Sequence, residues 1–145
     1  MRSPEQVQWD FVQQWLGKAD QDLGAAQVLL ESGTEHYENV GFHAQQAAEK
    51  YLKAFLVHHQ IEFPKTHDLT KLRGLVAPVD AELAAALAPA DVLTPYGVEF
   101  RYPRELGETS REQSQEALDL ADAVQSSILE SLRAYLDAGR PSDEE

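Results

Sequence analysis

Leu16, Ala19, Leu23, Ala26 and Leu30 recur at steps of three and four, with polar residues between them. That is the period of a helix with one apolar face. Gly33 follows where a C-terminal cap belongs. Upstream, Ser3-Pro4-Glu5-Gln6 has the order of an N-cap, a first-turn proline and a capping-box glutamine. It predicts a short helix leading into the longer one.

A second helix is predicted from a cap near Thr34. Its stripe is Val40, Ala44, Ala47, Tyr51, Ala54 and Phe55, widened by Ala48, Leu52 and Leu56. So broad a stripe predicts a central helix, buried on most sides. Pro64 ends the pattern by holding the residue before it out of helical geometry. A short third helix is expected from Thr66 or His67-Asp68 through Leu69, Leu72 and Val76. Pro78, Pro89 and Pro95 divide the next region, where one helix is expected over 80–87 and another over 90–102. Pro95 is read as a kink in the latter or its true start. The final helix opens on Ser110-Arg111-Glu112-Gln113, a capping box. It carries Ala117, Ala121, Val124, Ile128, Leu132 and Tyr135 to Gly139.

No stretch sustains the alternation of a strand. The expected fold is all-α, an up-and-down bundle of about five helices. One domain is expected over 1–139, with a polar tail over 140–145. Trp9, Phe11, Trp15, Val28 and Leu120 lie outside the main stripes. A surplus of this kind predicts burial between subunits, hence a homodimer.

Composition narrows the chemistry. The chain has 145 residues and no cysteine, which removes thiol catalysis, disulfides and cysteine-ligated zinc. MRSPEQVQWD lacks the apolar core of a signal peptide, and no run reaches a membrane span. A soluble, cytoplasmic protein is expected. The net charge of −13 opposes general coating of nucleic acid. Yet residues 43–73 hold five Lys and Arg against three Asp and Glu, a net of +2, so the remainder carries −15. His43, His58, His59 and His67 fall in the same stretch. It reads either as a solvated face of mixed charge or as a local anion site.

No phosphate-binding glycine loop, HExxH or Glu-x-x-His pair occurs. His58 and His59 are adjacent and point about 100° apart on a helix. No metal or cofactor is expected. On the second helix His43, Gln46, Lys50 and Lys53 step by three, four and three, a polar row beside the apolar one. Gln45 and Glu49 form a neighbouring row. One account is an internal hydrogen-bond network, with His43 bonding across the bundle and Glu49 pairing with Arg101 or His67. The other is a cleft where Lys50, Lys53 and His67 meet phosphate.

FHAQQAAEKYLKAFL, the loop FPKTHDLTKL and then FRYP, in that order and spacing, resemble the HEPN family (higher eukaryotes and prokaryotes nucleotide-binding). The resemblance spans residues 14–136. It implies an all-α bundle that dimerises and binds nucleotide or RNA, often encoded beside a minimal nucleotidyltransferase as a toxin–antitoxin pair. Many members are metal-independent ribonucleases, whose motif is an Arg, four to six intervening residues and then a His. After Arg101 no histidine occurs, so that motif is absent. The RYP of Arg101–Tyr102–Pro103 resembles instead the subgroup paired with minimal nucleotidyltransferases. In related pairs the nucleotidyltransferase modifies a tyrosine, which makes Tyr102 the modification candidate and Tyr96 the second. The candidate cleft is His43, Gln46, Lys50, Lys53, His67, Arg101 and Tyr102, with lysines and Arg101 on phosphate and Tyr102 stacking on a base. Two readings compete: a ribonuclease using a non-standard histidine, and a non-catalytic helical scaffold.

Overall fold

Ser3 caps the first helix as its sequence predicts. Its hydroxyl accepts from the Gln6 amide at 3.2 Å, and the Gln6 side chain accepts from the Ser3 amide at 3.0 Å. In the computed structural model, which describes residues 1–98 and 109–142, this helix (α1, Pro4–Glu31) runs unbroken. The expected division into a short and a long helix is corrected here. Gln6, Val12, Leu16 and the stripe to Leu30 are all buried, so one continuous face holds the helix together over 28 residues. Gly33 takes the positive φ of 76° that stops it.

The second helix (α2, Tyr37–His58) starts at His36 rather than Thr34. Thr34 still contributes, its hydroxyl accepting from the His36 amide at 3.0 Å. Val40, Ala44, Ala47, Tyr51, Ala54 and Leu56 are fully enclosed. α2 is therefore the central helix that its broad stripe predicts. Asp68 caps α3 (Leu69–Val76) and Asp80 caps α4 (Ala81–Leu87), each carboxylate accepting a backbone N–H at 2.9 Å. The expected helix over 90–102 is a 3₁₀ segment (Ala88–Leu93) and then α5 (Thr94–Val98), with Pro95 in the first turn of α5. Its last residues lie outside the described ones, as do Arg101 and Tyr102.

Ser110 and Gln113 close their capping box at 3.1 and 2.8 Å and open α6 (Arg111–Ser131). The final helix then breaks at Leu132, where the sequence predicts continuity, and resumes as α7 (Arg133–Ala138). Ser131 donates back to the Ile128 carbonyl at 2.8 Å, a local bond that competes with the helix ladder.

Cross-helix bonds fix the directions. Gln8 donates to the Val57 carbonyl at 3.1 Å and His43 meets Asp22 at 2.9 Å, so α1 and α2 are antiparallel. Gln27 reaches Asp122 and Trp9 meets Tyr135, so α1 and α6–α7 are antiparallel too. α2 and α6 thus run the same way, and α3, α4, the 3₁₀ segment and α5 bring the chain back between them. Arg73 grips Asp91 at 2.7–3.2 Å to hold α3 on that return path.

Where the three long helices meet, the enclosed Tyr51 hydroxyl donates to Asp20 at 2.5 Å and accepts from Gln125 at 2.9 Å. Burial and Asp20 both push the Tyr51 phenol well above its ordinary range. Of the surplus apolar residues, Trp9 packs on Tyr135, Trp15 on Phe63, and Leu120 on the core. Phe11 and Val28 stay 52% and 65% exposed. Among the described residues no helix is long and apolar enough to cross a membrane.

Candidate functional site

The polar row on α2 divides. His43 and Lys50 turn toward α1, where a single carboxylate meets both. Asp22 Oδ1 lies 2.9 Å from His43 Nδ1, and Asp22 Oδ2 accepts from Lys50 Nζ. All three are partly open to solvent, with side chains 15–31% exposed.

Gln46 and Lys53 join the neighbouring row, Gln46 through Gln45 and Lys53 through Glu49. Glu49, with its side chain only 4% exposed, repeats the pattern of Asp22. Its Oε1 lies 2.7 Å from His67 Nδ1, and its Oε2 accepts from Lys53 Nζ at 2.9 Å. Gln45, fully enclosed, ties this group together. It donates to Glu49 at 3.3 Å and to the His67 carbonyl at 2.9 Å, and accepts from Gln46 at 2.7 Å. The Lys53 ammonium also sits 5.4 Å from the Trp15 ring centre and 5.6 Å from that of Phe63. A buried lysine so placed has a carboxylate and two ring faces in place of water.

The two groups share one chemistry. In each, a carboxylate bridges a histidine Nδ1 and a lysine ammonium. The carboxylate orients the imidazole and leaves Nε2 for other partners. They differ in access. The His67 side chain is 47% exposed, while its carboxylate and lysine are buried beneath it. Lys53 therefore acts from below, through Glu49, and His67 is the member that meets solvent.

α5 is pressed onto this region at two glycines. A Cβ on Gly97 would lie 2.6 Å from the Gln45 side chain, and one on Gly41 would overlap the Tyr96 ring. Tyr96 is thus wedged against α2. Gly97 lets the chain pass directly over Gln45, and Arg101 follows four residues later in sequence.

Of the predicted site residues, His43 and Lys50 come together on one network, and Gln46, Lys53 and His67 on the other. Arg101 and Tyr102 lie outside the described residues. Both bonds of the internal-network account are present, His43 across the bundle and Glu49 to His67. Asp22, Gly41 and Gly97 carry no mark in the sequence, because their importance lies in contacts between helices. Gln45 is legible only as a polar residue at a core position. His58 and His59, at the far end of α2, join neither network. Among the described residues no group of histidines and carboxylates is arranged to hold a metal ion. Where α6 faces α1, burial first and then Asp119 push the Asp122 carboxyl up.

The family model described as HEPN domain matches residues 12–132. Two solved structures are similar. The crystal structure of TT1696 from Thermus thermophilus shares 32% identity with a TM-score of 0.67, over 83% of this chain and 98% of that one. The crystal structure of ST0689, an archaeal HEPN homologue, shares 24% identity with a TM-score of 0.63, over 83% of this chain and 97% of that one, a likeness of fold. No curated protein matches the chain. With the family model covering the bundle from α1 to Leu132, the chain belongs to the HEPN family.

Proposed function

We propose that this protein is a nucleotide- or RNA-binding module that works as a homodimer and as the partner of a minimal nucleotidyltransferase in a toxin–antitoxin-type pair. The observation that carries the reading is His67, exposed above the buried Glu49–Lys53 pair and beside the place where Gly97 crosses Gln45. Arg101 follows Gly97 by four residues in sequence, which makes it the cation of this reading. The net +2 of residues 43–73 marks the stretch where a phosphate meets least repulsion on an otherwise acidic body. In this reading Arg101 and the exposed His67 contact phosphate, and Tyr102 stacks on a base and is the tyrosine open to modification. Lys53 and Gln46 hold the site's frame through Glu49 and Gln45.

Binding of nucleotides and short RNAs to the pure protein is the direct measurement. Arg101→Ala is expected to weaken binding at least about tenfold and to reduce the salt slope by about 1. Unchanged affinity and slope would remove Arg101 from the site. Failure of a co-expressed nucleotidyltransferase to copurify would end the partner claim alone.

One observation favours a second reading, the ribonuclease with a non-standard histidine. His67 is held through Nδ1 by a buried carboxylate, the arrangement that frees Nε2 for proton transfer. If so, the pure protein cleaves single-stranded RNA and His67→Ala lowers the rate by about 10²-fold or more. Intact RNA after prolonged incubation rules it out.

A further inference from the structure

Residues 1–11 and 133–142 lie outside the stretch matched to the family, and they meet each other at one end of the bundle. Trp9 packs 5.1 Å from the Tyr135 ring. Asp10 takes Arg140 at 3.0 and 3.2 Å and Arg2 at 2.8 Å. Gln6, whose side-chain carbonyl completes the α1 capping box, donates at 2.9 Å to the Pro141 carbonyl. The two ends of the chain thus form a clasp.

His58, the last residue of α2, lies under that clasp. Its ring centre is 4.1 Å from that of Tyr135 on α7. The His58 Nδ1 and the Tyr135 hydroxyl are both buried without a hydrogen-bond partner. Gln8 of α1 bonds the Val57 and His58 carbonyls, so the backbone beneath the ring is pinned. A neutral imidazole tolerates an unused acceptor. A protonated one brings a charged N–H into a place with no acceptor for it, which is far more costly.

We propose that His58 is the proton-operated trigger of this clasp: neutral, it lets α7 and the tail lie on the bundle, and protonated, it releases them. The groups around it fit that role. His59, 4.7 Å away, can only add positive charge. Asp80, at the start of α4, attracts the proton of His59. Asp10 of α1 is engaged by Arg2 and Arg140, and the Tyr135 phenol on α7 is pushed up by burial and by Asp10, so it stays neutral. Burial pushes the His58 imidazole below its ordinary value of 6.5, and His59 pushes it further. Burial lowers His59 as well.

The sign follows from linkage. Both folded-state values lie below the unfolded ones. Their stabilising contribution is therefore complete above about pH 6.5 and is lost as pH falls below it. Asp10, held down at about 2 by its two arginines, keeps its ion pairs throughout that window. Opening in that window is the work of His58.

Hydrogen exchange on the full chain tests the clasp at about pH 7.5 and about pH 5.5, corrected for the intrinsic rate. Amides of 133–138 are expected to lose at least about tenfold in protection at the lower pH, while those of 44–56 hold. His58→Phe keeps a ring against Tyr135 and takes no proton, so its α7 stays protected at both. Equal loss in that variant, or no loss in the unaltered chain, overturns the proposal. NMR titration of the unaltered chain needs no variant to fold. The His58 midpoint and that of α7 opening must coincide, and a gap of more than about one pH unit overturns it too.

Discussion

Glu49→Ala is expected to cost about 3–4 kcal/mol of folding stability, because it breaks a buried ion pair. The variant leaves the Lys53 ammonium, whose side chain is 10% exposed, without its carboxylate. It also removes an acceptor from Gln45 and from His67. The Trp15 and Phe63 rings return only part of that loss, because cation–π attraction is worth about 1–2 kcal/mol even when desolvated. Urea unfolding reads the effect as a lower midpoint at unchanged slope. The double replacement Glu49→Leu with Lys53→Met is expected to recover most of the loss, since it removes both charges together. If Glu49→Ala alone leaves the midpoint unmoved, the pair is not a buried unit and His67 has no fixed frame.

Local rules explain which parts of the fold the sequence reveals. Ser3, Asp68, Asp80 and Ser110 cap helices where their side chains predict, because a cap is decided within four residues. Gly33 is equally local. The unity of α1 and the break at Leu132 depend instead on what the helices pack against, and there the reading of the sequence differs from the structure. The polar row on α2 is visible as a pattern, since three- and four-residue steps put its members on one side. Its division is not, because Asp22 on α1 and Glu49 on α2 recruit different members from opposite flanks. The surplus aromatics tell the same story. Trp9 and Trp15 stand outside the stripes in one dimension, and in three each packs a ring, Tyr135 and Phe63, while staying partly exposed.

Gly97→Ala is the second large effect expected, about 2–3 kcal/mol, and it tests how tightly the return path is coupled to the site. In an isolated helix alanine is better than glycine by about 1 kcal/mol, so any loss must come from contact. The new Cβ would lie 2.6 Å from the Gln45 Cδ and Oε1 and 2.9 Å from its Nε2. Gln45 has nowhere to retreat. It is fully enclosed, and its amide holds Gln46, Glu49 and the His67 carbonyl at once. Either α5 lifts off α2, or the amide turns and leaves buried groups unpaired, and overpacking of this kind costs about 1–3 kcal/mol before the lost bonds are counted. A double-mutant cycle separates this from a general intolerance of α5. With Gln45→Ala already in place the clash partner is gone, and adding Gly97→Ala is expected to cost less than about 0.5 kcal/mol. Additive losses would mean that Gly97 and Gln45 do not act on each other. Strong non-additivity, with nucleotide binding weakened in Gly97→Ala and not in Gly74→Ala, whose Cβ would meet open space, would tie the glycine to the placement of the segment that carries Arg101.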